Sequence, residues 1–223
     1  MTVWGGSWGI LLALAPLALF LLLFWSRRCR GATRHDLLRA FVAGLVATVP
    51  VAALLAPGGV MHAATPLAEA LLAAFIQAAL PEESVKLLVM LWLCRQVASG
   101  RAAVTSGVAF GLGFAFVENL IYAAHGGWVA SLIRLVSAVP CHAFLGAVMA
   151  YYVARALAQP SPAALIKAWL VPLLLHGLYD LPLMIAVDGL RASAQAALLT
   201  GLVLALLATW TRFLLTRLAR PVT

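Results

Sequence analysis

Apolar stretches close to twenty residues long follow one another along most of this chain, separated by short segments that hold nearly all of its charges. About twenty residues rising 1.5 Å each carry an α-helix through a hydrocarbon core about 30 Å thick, so the stretches read as membrane-crossing helices. They lie at 7–25, 38–56, 104–124, 128–154, 165–187 and 192–215, with one longer stretch at 66–94. The longer one exceeds a straight span and carries Pro81 in its middle, and it reads as one tilted helix kinked at the proline. The alternative is a re-entrant hairpin or two short spans, which makes eight crossings and reverses the sidedness of the chain before or after it. The pattern therefore predicts an all-α, polytopic transmembrane helix bundle of about seven spans. Residues 1–223 form a single membrane domain, with its polar motifs inside 66–187 and no internal repeat or soluble unit.

Composition sharpens this picture. Of 223 residues, 65% are hydrophobic and 10% charged, and the mean hydropathy of +1.05 excludes an ordinary soluble domain. Fifteen Lys and Arg against seven Asp and Glu give a net charge of +8, and the arginines cluster in short connections. Arg27, Arg28, Arg30, Arg34 and Arg39, then Arg95 and Arg101, Arg155, and finally Arg212, Arg217 and Arg220 mark cytoplasmic segments. The N-terminus is then outside and the C-terminus cytoplasmic, with Arg191 the one exception. No basic face with interleaved aromatics exists outside the spans, so the charge orients the protein in a lipid bilayer and does not indicate nucleic acid. The first apolar run lacks a preceding basic region and is followed by arginines, which predicts a retained anchor. Cys29, Cys94 and Cys141 read as free thiols.

Against this background the sequence Glu82-Glu83-Ser84-Val85-Lys86 stands out. Each of its charges would cost about 2.5–3.5 kcal/mol at a bilayer centre, and intramembrane ionisable residues mark function by default. Lys86 lies four residues from Glu82 and three from Glu83, within reach of either on a helix. Counted from the cytoplasmic ends of their spans, Glu83, Glu118, His142 and His176 lie roughly 17, 21, 19 and 16 Å deep, and Asp180 one turn beyond His176. Four helices thus bring Glu82, Glu83, Glu118, His142, His176 and Asp180 to one layer. Such a layer suits a carboxylate general base for water with a histidine donating to a leaving amine or an oxyanion. It equally suits a divalent metal held by Glu118, His142 and His176, with or without Asp180, and zinc by ligand type. No H-E-x-x-H occurs.

Three of these segments resemble the motifs of PrsW-type intramembrane proteases. Glu82-Glu83-Ser84-Val85-Lys86 is similar to E-E-x-x-K, Phe114-Ala115-Phe116-Val117-Glu118-Asn119 to F-x-x-x-E-N, and His176-Gly177-Leu178-Tyr179-Asp180 to H-G-x-x-D, with His142 matching a further histidine. The order is that of the family, across the four spans from Glu82 to Asp180. In the wider CAAX-protease and bacteriocin-processing superfamily the second motif usually ends in His, where this chain has Glu118. The resemblance implies a bacterial plasma-membrane protease that cuts a membrane-anchored protein such as an anti-sigma factor. Read together, the residues make Glu82 the general base, Glu83 either the partner of Lys86 or a sharer of the proton on Glu82, and His176 with Asp180 the pair that stabilises the transition state; Glu82 and Glu83 are interchangeable at this level. Glu118 and His142 orient water or bind metal. The competing classes are a proton-coupled transporter or channel, disfavoured by the absence of paired broken helices, and a noncatalytic membrane scaffold. Glu69 and Arg134 read as snorkelling or structural charges, and Gly107, Gly111 and Gly113 as packing positions.

Overall fold

A computed structural model describes residues 3–26, 31–55 and 62–185, and 200–216 apart from 203, 207, 211, 214 and 215. Every regular element among them is helical: α1 Val3–Ala13, α2 Ala15–Trp25, α3 Arg34–Leu55, α4 Pro66–Leu71, a π-helical segment Leu72–Ala79, α5 Leu80–Cys94, α6 Gly100–Val136, α7 Ala138–Ala158 and α8 Pro162–Ile185. Hydroxyl caps set the starts of four of them. Thr33 and Asp36 exchange bonds before α3, and Thr65, Ser99 and Ser161 accept from the backbone three residues on.

Among the described residues, five stretches are long and apolar enough to cross a membrane: Trp8–Trp25, Arg34–Leu55, Gly100–His125, Trp128–Ala158 and Pro162–Ile185. Leu22, Val46, Val49 and Leu88 are more than 60% exposed, a surface suited to hydrocarbon rather than water. The segment expected at 66–94 is helical throughout, but it is divided among α4, the π-helical segment and α5. The last expected span, 192–215, falls largely outside the described residues, which retain an apolar helix from Thr200 to Trp210. Of the three cysteines, Cys94 and Cys141 are free and buried, and Cys29 lies outside the described residues.

Two expectations about the backbone change. Pro81 does not simply kink a helix. An α-helix would have it donate to Gln77, which proline cannot do. The preceding turns are instead widened, so that Leu80 N–H bonds to Phe75 five residues back and Pro81 occupies the first turn of α5. The turn expected at 125–127 is absorbed into α6, whose backbone remains helical from Gly100 to Val136. In a straight helix Asn119 and Arg134 would stand about 22 Å apart, yet their side chains are hydrogen-bonded. The chain direction therefore reverses between them, and α7 continues the return after a break at Ser137.

The core is organised around α6, which packs against α1, α2, α3 and α7, while α8 lies along α7 and along all three parts of the 66–94 rod. Phe20 stacks on Phe41 at 4.1 Å, and Leu37, Met90, Leu93, Phe110, Phe114 and Met149 are buried around them. Between lipid-embedded helices, close packing replaces the hydrophobic drive, which favours small residues at contacts. Gly111 meets the backbone of His142 so closely that a Cβ would collide with its carbonyl.

Candidate active site

The site begins where the π-helical segment ends. Pro81 starts α5, and the next turns aim Glu82, Glu83 and Lys86 into the bundle, where all three are buried. The i,i+3 and i,i+4 spacings let one ammonium hold both carboxylates, with Lys86 Nζ donating to Glu82 Oε2 and Glu83 Oε1 at 2.8 Å each. The face of Phe114, from α6, covers the same ammonium at 3.9 Å. Ser84 turns the other way. Its hydroxyl donates to Leu80 O and accepts from Trp169 Nε1 of α8 at 3.1 Å, fastening α5 to α8 behind the carboxylates.

From α7, His142 places Nδ1 3.2 Å from Lys86 Nζ and Nε2 2.7 Å from Glu118 Oε2. An ammonium can only donate, so Nδ1 accepts and Nε2–H donates to Glu118. Glu118 Oε2 also accepts from Arg134 Nη2 at 2.7 Å, and Arg134 Nε donates to Asn119 Oδ1 at 2.8 Å. The guanidinium lies over the Tyr122 ring at 4.0 Å. From α8, His176 Nδ1 stands 2.8 Å from Glu83 Oε1, and Nε2 3.3 Å from Asp180 Oδ2. Gly177, the next residue, leaves room for the Phe75 ring of the π-helical segment, which a Cβ would strike. The two histidine rings meet edge to face at 5.4 Å.

All six residues singled out from the sequence are thus joined in one network, running Asp180, His176, Glu83, Lys86, His142, Glu118, with Glu82 on Lys86. Arg134 extends it and was legible only as a charge; its partner lies fifteen or sixteen residues earlier across the reversal in α6. Trp169 gave no sequence signal, since an indole in an apolar helix looks like any interface anchor. Glu69 is remote from the network, partly exposed and 3.4 Å from His62.

A groove of about 530 Å³ leads to this network. Its walls come from α3 (Thr48, Val51, Ala52), from the rod preceding the site (Ala73, Gln77) and from Tyr122, and it reaches Glu82 and Glu118. Glu83 is fully buried behind them. Glu82 is held through Oε2 by Lys86, and its carboxylate forms part of the wall where the groove ends.

Among the described residues, two sets of donors lie close enough together to share an ion, Glu82 with Glu118 and His142, and Glu82 with Glu83 and His176, the donor atoms of each set within 4.8 Å of one another. The expected trio Glu118, His142 and His176 is divided between them, because His176 turns to Glu83. Carboxylates with imidazoles are the donors zinc accepts, and Glu83 Oε2 is buried without a hydrogen-bond partner, so the residues present fit a divalent metal.

Residues 33–210 match the family model described as PrsW family intramembrane metalloprotease. Protease PrsW of Halalkalibacterium halodurans is 33% identical over 181 residues, 75% of this chain and 80% of that protein. Protease PrsW of Oceanobacillus iheyensis is 33% identical over 112 residues, 48% of this chain and 52% of that protein. Protease PrsW of Bacillus subtilis is 28% identical over 152 residues, 66% of this chain and 68% of that protein. No solved structure is detectably similar to the chain. The match extends from the cap of α3 to the last apolar helix and takes in the whole network, and the chain belongs to the PrsW family of intramembrane metalloproteases.

Proposed function

We propose that this protein is an endopeptidase of the bacterial plasma membrane that hydrolyses a peptide bond in or near the membrane segment of a single-span protein, an anti-sigma factor being the expected kind of substrate. It acts as one membrane-embedded unit of seven spans, with the 66–94 rod crossing once, the N-terminus outside and the C-terminus cytoplasmic. The observation that carries the reading is that Glu82 and Glu118 line the groove while the rest of the network stands behind them. A substrate segment lying in the groove brings its scissile carbonyl to these carboxylates, in surroundings from which bulk water is largely excluded.

Glu82 takes the proton of the attacking water, its carboxylate being held at the groove by Lys86 in the metal-free site. Glu83, fully buried and bound to both Lys86 and His176, orients these two groups. His176, held from both sides by Glu83 and Asp180, hands a proton to the departing amine or donates to the developing oxyanion. Glu118 and His142, with Glu82, are the residues that would hold a metal, zinc by donor type. An ion bound there supplies Lewis acidity toward water and the carbonyl. A carboxylate has two oxygens and about four lone-pair sites, so Glu82 can serve ion and proton together.

The test is cleavage of a single-span substrate by purified protein reconstituted in liposomes. Glu82→Gln, Glu83→Gln and His176→Ala should insert with normal helicity and cleave at least a hundredfold more slowly. Cleavage at the unaltered rate by all three would sink the assignment.

A further inference from the structure

The position of Lys86 goes further than pairing with two glutamates. Its ammonium lies 2.8 Å from Glu82 Oε2, 2.8 Å from Glu83 Oε1 and 3.2 Å from His142 Nδ1. These atoms belong to the same residues that make up the two candidate donor sets, so the ammonium is drawn to atoms that a metal would also seek. It also fixes the chemistry of His142. While Nδ1 accepts from Lys86, Nε2 carries the proton given to Glu118 and has no lone pair to offer an ion. A metal bound through either nitrogen of His142 therefore requires the ammonium to leave that ring, because Nδ1 is occupied by it and a free lone pair at Nε2 needs the proton moved to Nδ1.

An acceptor for the displaced ammonium exists on the same Glu83 carboxylate that it holds. Glu83 Oε2 is buried and has no hydrogen-bond partner, although Oε1 of the same carboxylate accepts from both Lys86 and His176. A shift onto Oε2 would satisfy this orphaned acceptor and release Glu82 and His142. The other charged groups around the cluster do not take over this role. Arg134 is engaged with Glu118 and Asn119, and Asp180 with His176.

We propose that Lys86 is an internal cation that competes with a divalent metal for Glu82 and His142, so that metal entry moves its ammonium onto the free oxygen of Glu83. The proposal rests on the metal-dependent reading given above. It makes Lys86 the residue that sets how tightly the site holds its ion, keeping the buried carboxylates paired while the metal is away.

Zinc affinity of the purified full-length chain, measured in detergent by competition with a chelating dye, tests this directly. Lys86→Met keeps a long apolar stem against Phe114 and removes the competing charge, and it should bind zinc at least tenfold more tightly than the parent protein. Lys86→Arg keeps a cation too bulky and too rigid to withdraw, and it should bind at least tenfold more weakly. Glu82→Gln/Lys86→Met should lose the gain. Zinc should also raise the melting temperature of Lys86→Met more than that of the parent, a readout independent of cleavage. Equal affinity in the parent and both Lys86 variants would overturn the inference while leaving the metalloprotease reading intact. No zinc binding by any of them, with cleavage persisting in chelator, would remove the metal from the mechanism and this inference with it.

Discussion

Replacing Arg134 with Met tests whether the reversal in α6 is held by its charge. The guanidinium makes two charge-assisted bonds, to Glu118 at 2.7 Å and Asn119 at 2.8 Å, and both members of the ion pair are largely shielded, with side-chain exposures of 14% and 20%. Breaking a fully buried pair by removing one partner costs about 3–5 kcal/mol, but here Glu118 keeps the Nε2–H of His142. Interhelical hydrogen bonds in membrane proteins average about 0.6 kcal/mol and reach about 1.7. Two bonds, one of them an ion pair, therefore place Arg134→Met near 2 kcal/mol. Reversible unfolding in mixed micelles measures the loss. The ion pair accounts for most of it, so Arg134→Met/Glu118→Gln should be less destabilised than the sum of the single variants by about 1 kcal/mol or more. A loss below about 0.5 kcal/mol, or strict additivity, would mean that the turn closes without this contact and that the pair is incidental.

Gly177→Val drives a branched side chain into the Phe75 ring, and overpacking of this kind costs about 1–3 kcal/mol; a lower melting temperature with unchanged helicity is expected, and an unaltered melting curve would show that the π-helical segment moves aside freely. Epitope tags at the N-terminus and in the 188–193 loop should be reached by antibody on intact spheroplasts, and a C-terminal tag only after permeabilisation. An N-terminal tag protected in intact spheroplasts would show that the 66–94 rod does not cross once in the proposed sense.

Depth was legible in the sequence because a rise of 1.5 Å per residue holds along almost any helix. Counting alone therefore brought Glu82, Glu118, His142 and His176 to one layer, and the network joins them. Direction was not legible. Whether His176 turns toward His142 and Glu118 or toward Glu83 depends on how α8 is rotated against α5, and the Ser84–Trp169 bond behind the site is part of that rotation. Pro81 announced a disturbance, but a missing N–H is answered as well by widening the preceding turns as by a bend, and the choice depends on the packing of Phe75 against Gly177. The two oxygens of Glu83 show the same limit. Spacing places Lys86 near the carboxylate, but only the packed helices leave one oxygen doubly engaged and the other bare.

The network also carries an imbalance of charge. Glu82, Glu83, Glu118 and Asp180 contribute four negative charges when ionised, and Lys86 and Arg134 return two, so before any proton that His176 holds between Glu83 and Asp180 is counted, 4 − 2 leaves an excess of two negative charges between helices whose outer faces meet lipid. A low-dielectric interior resists such an excess. One divalent ion cancels it, as do two protons. The same arithmetic means that an amide in place of Glu82, which leaves Lys86 still paired with Glu83, relieves part of the excess that the native residue maintains. This is a region where folding and chemistry pull in opposite directions, and where the variants easiest to accommodate are those least able to work.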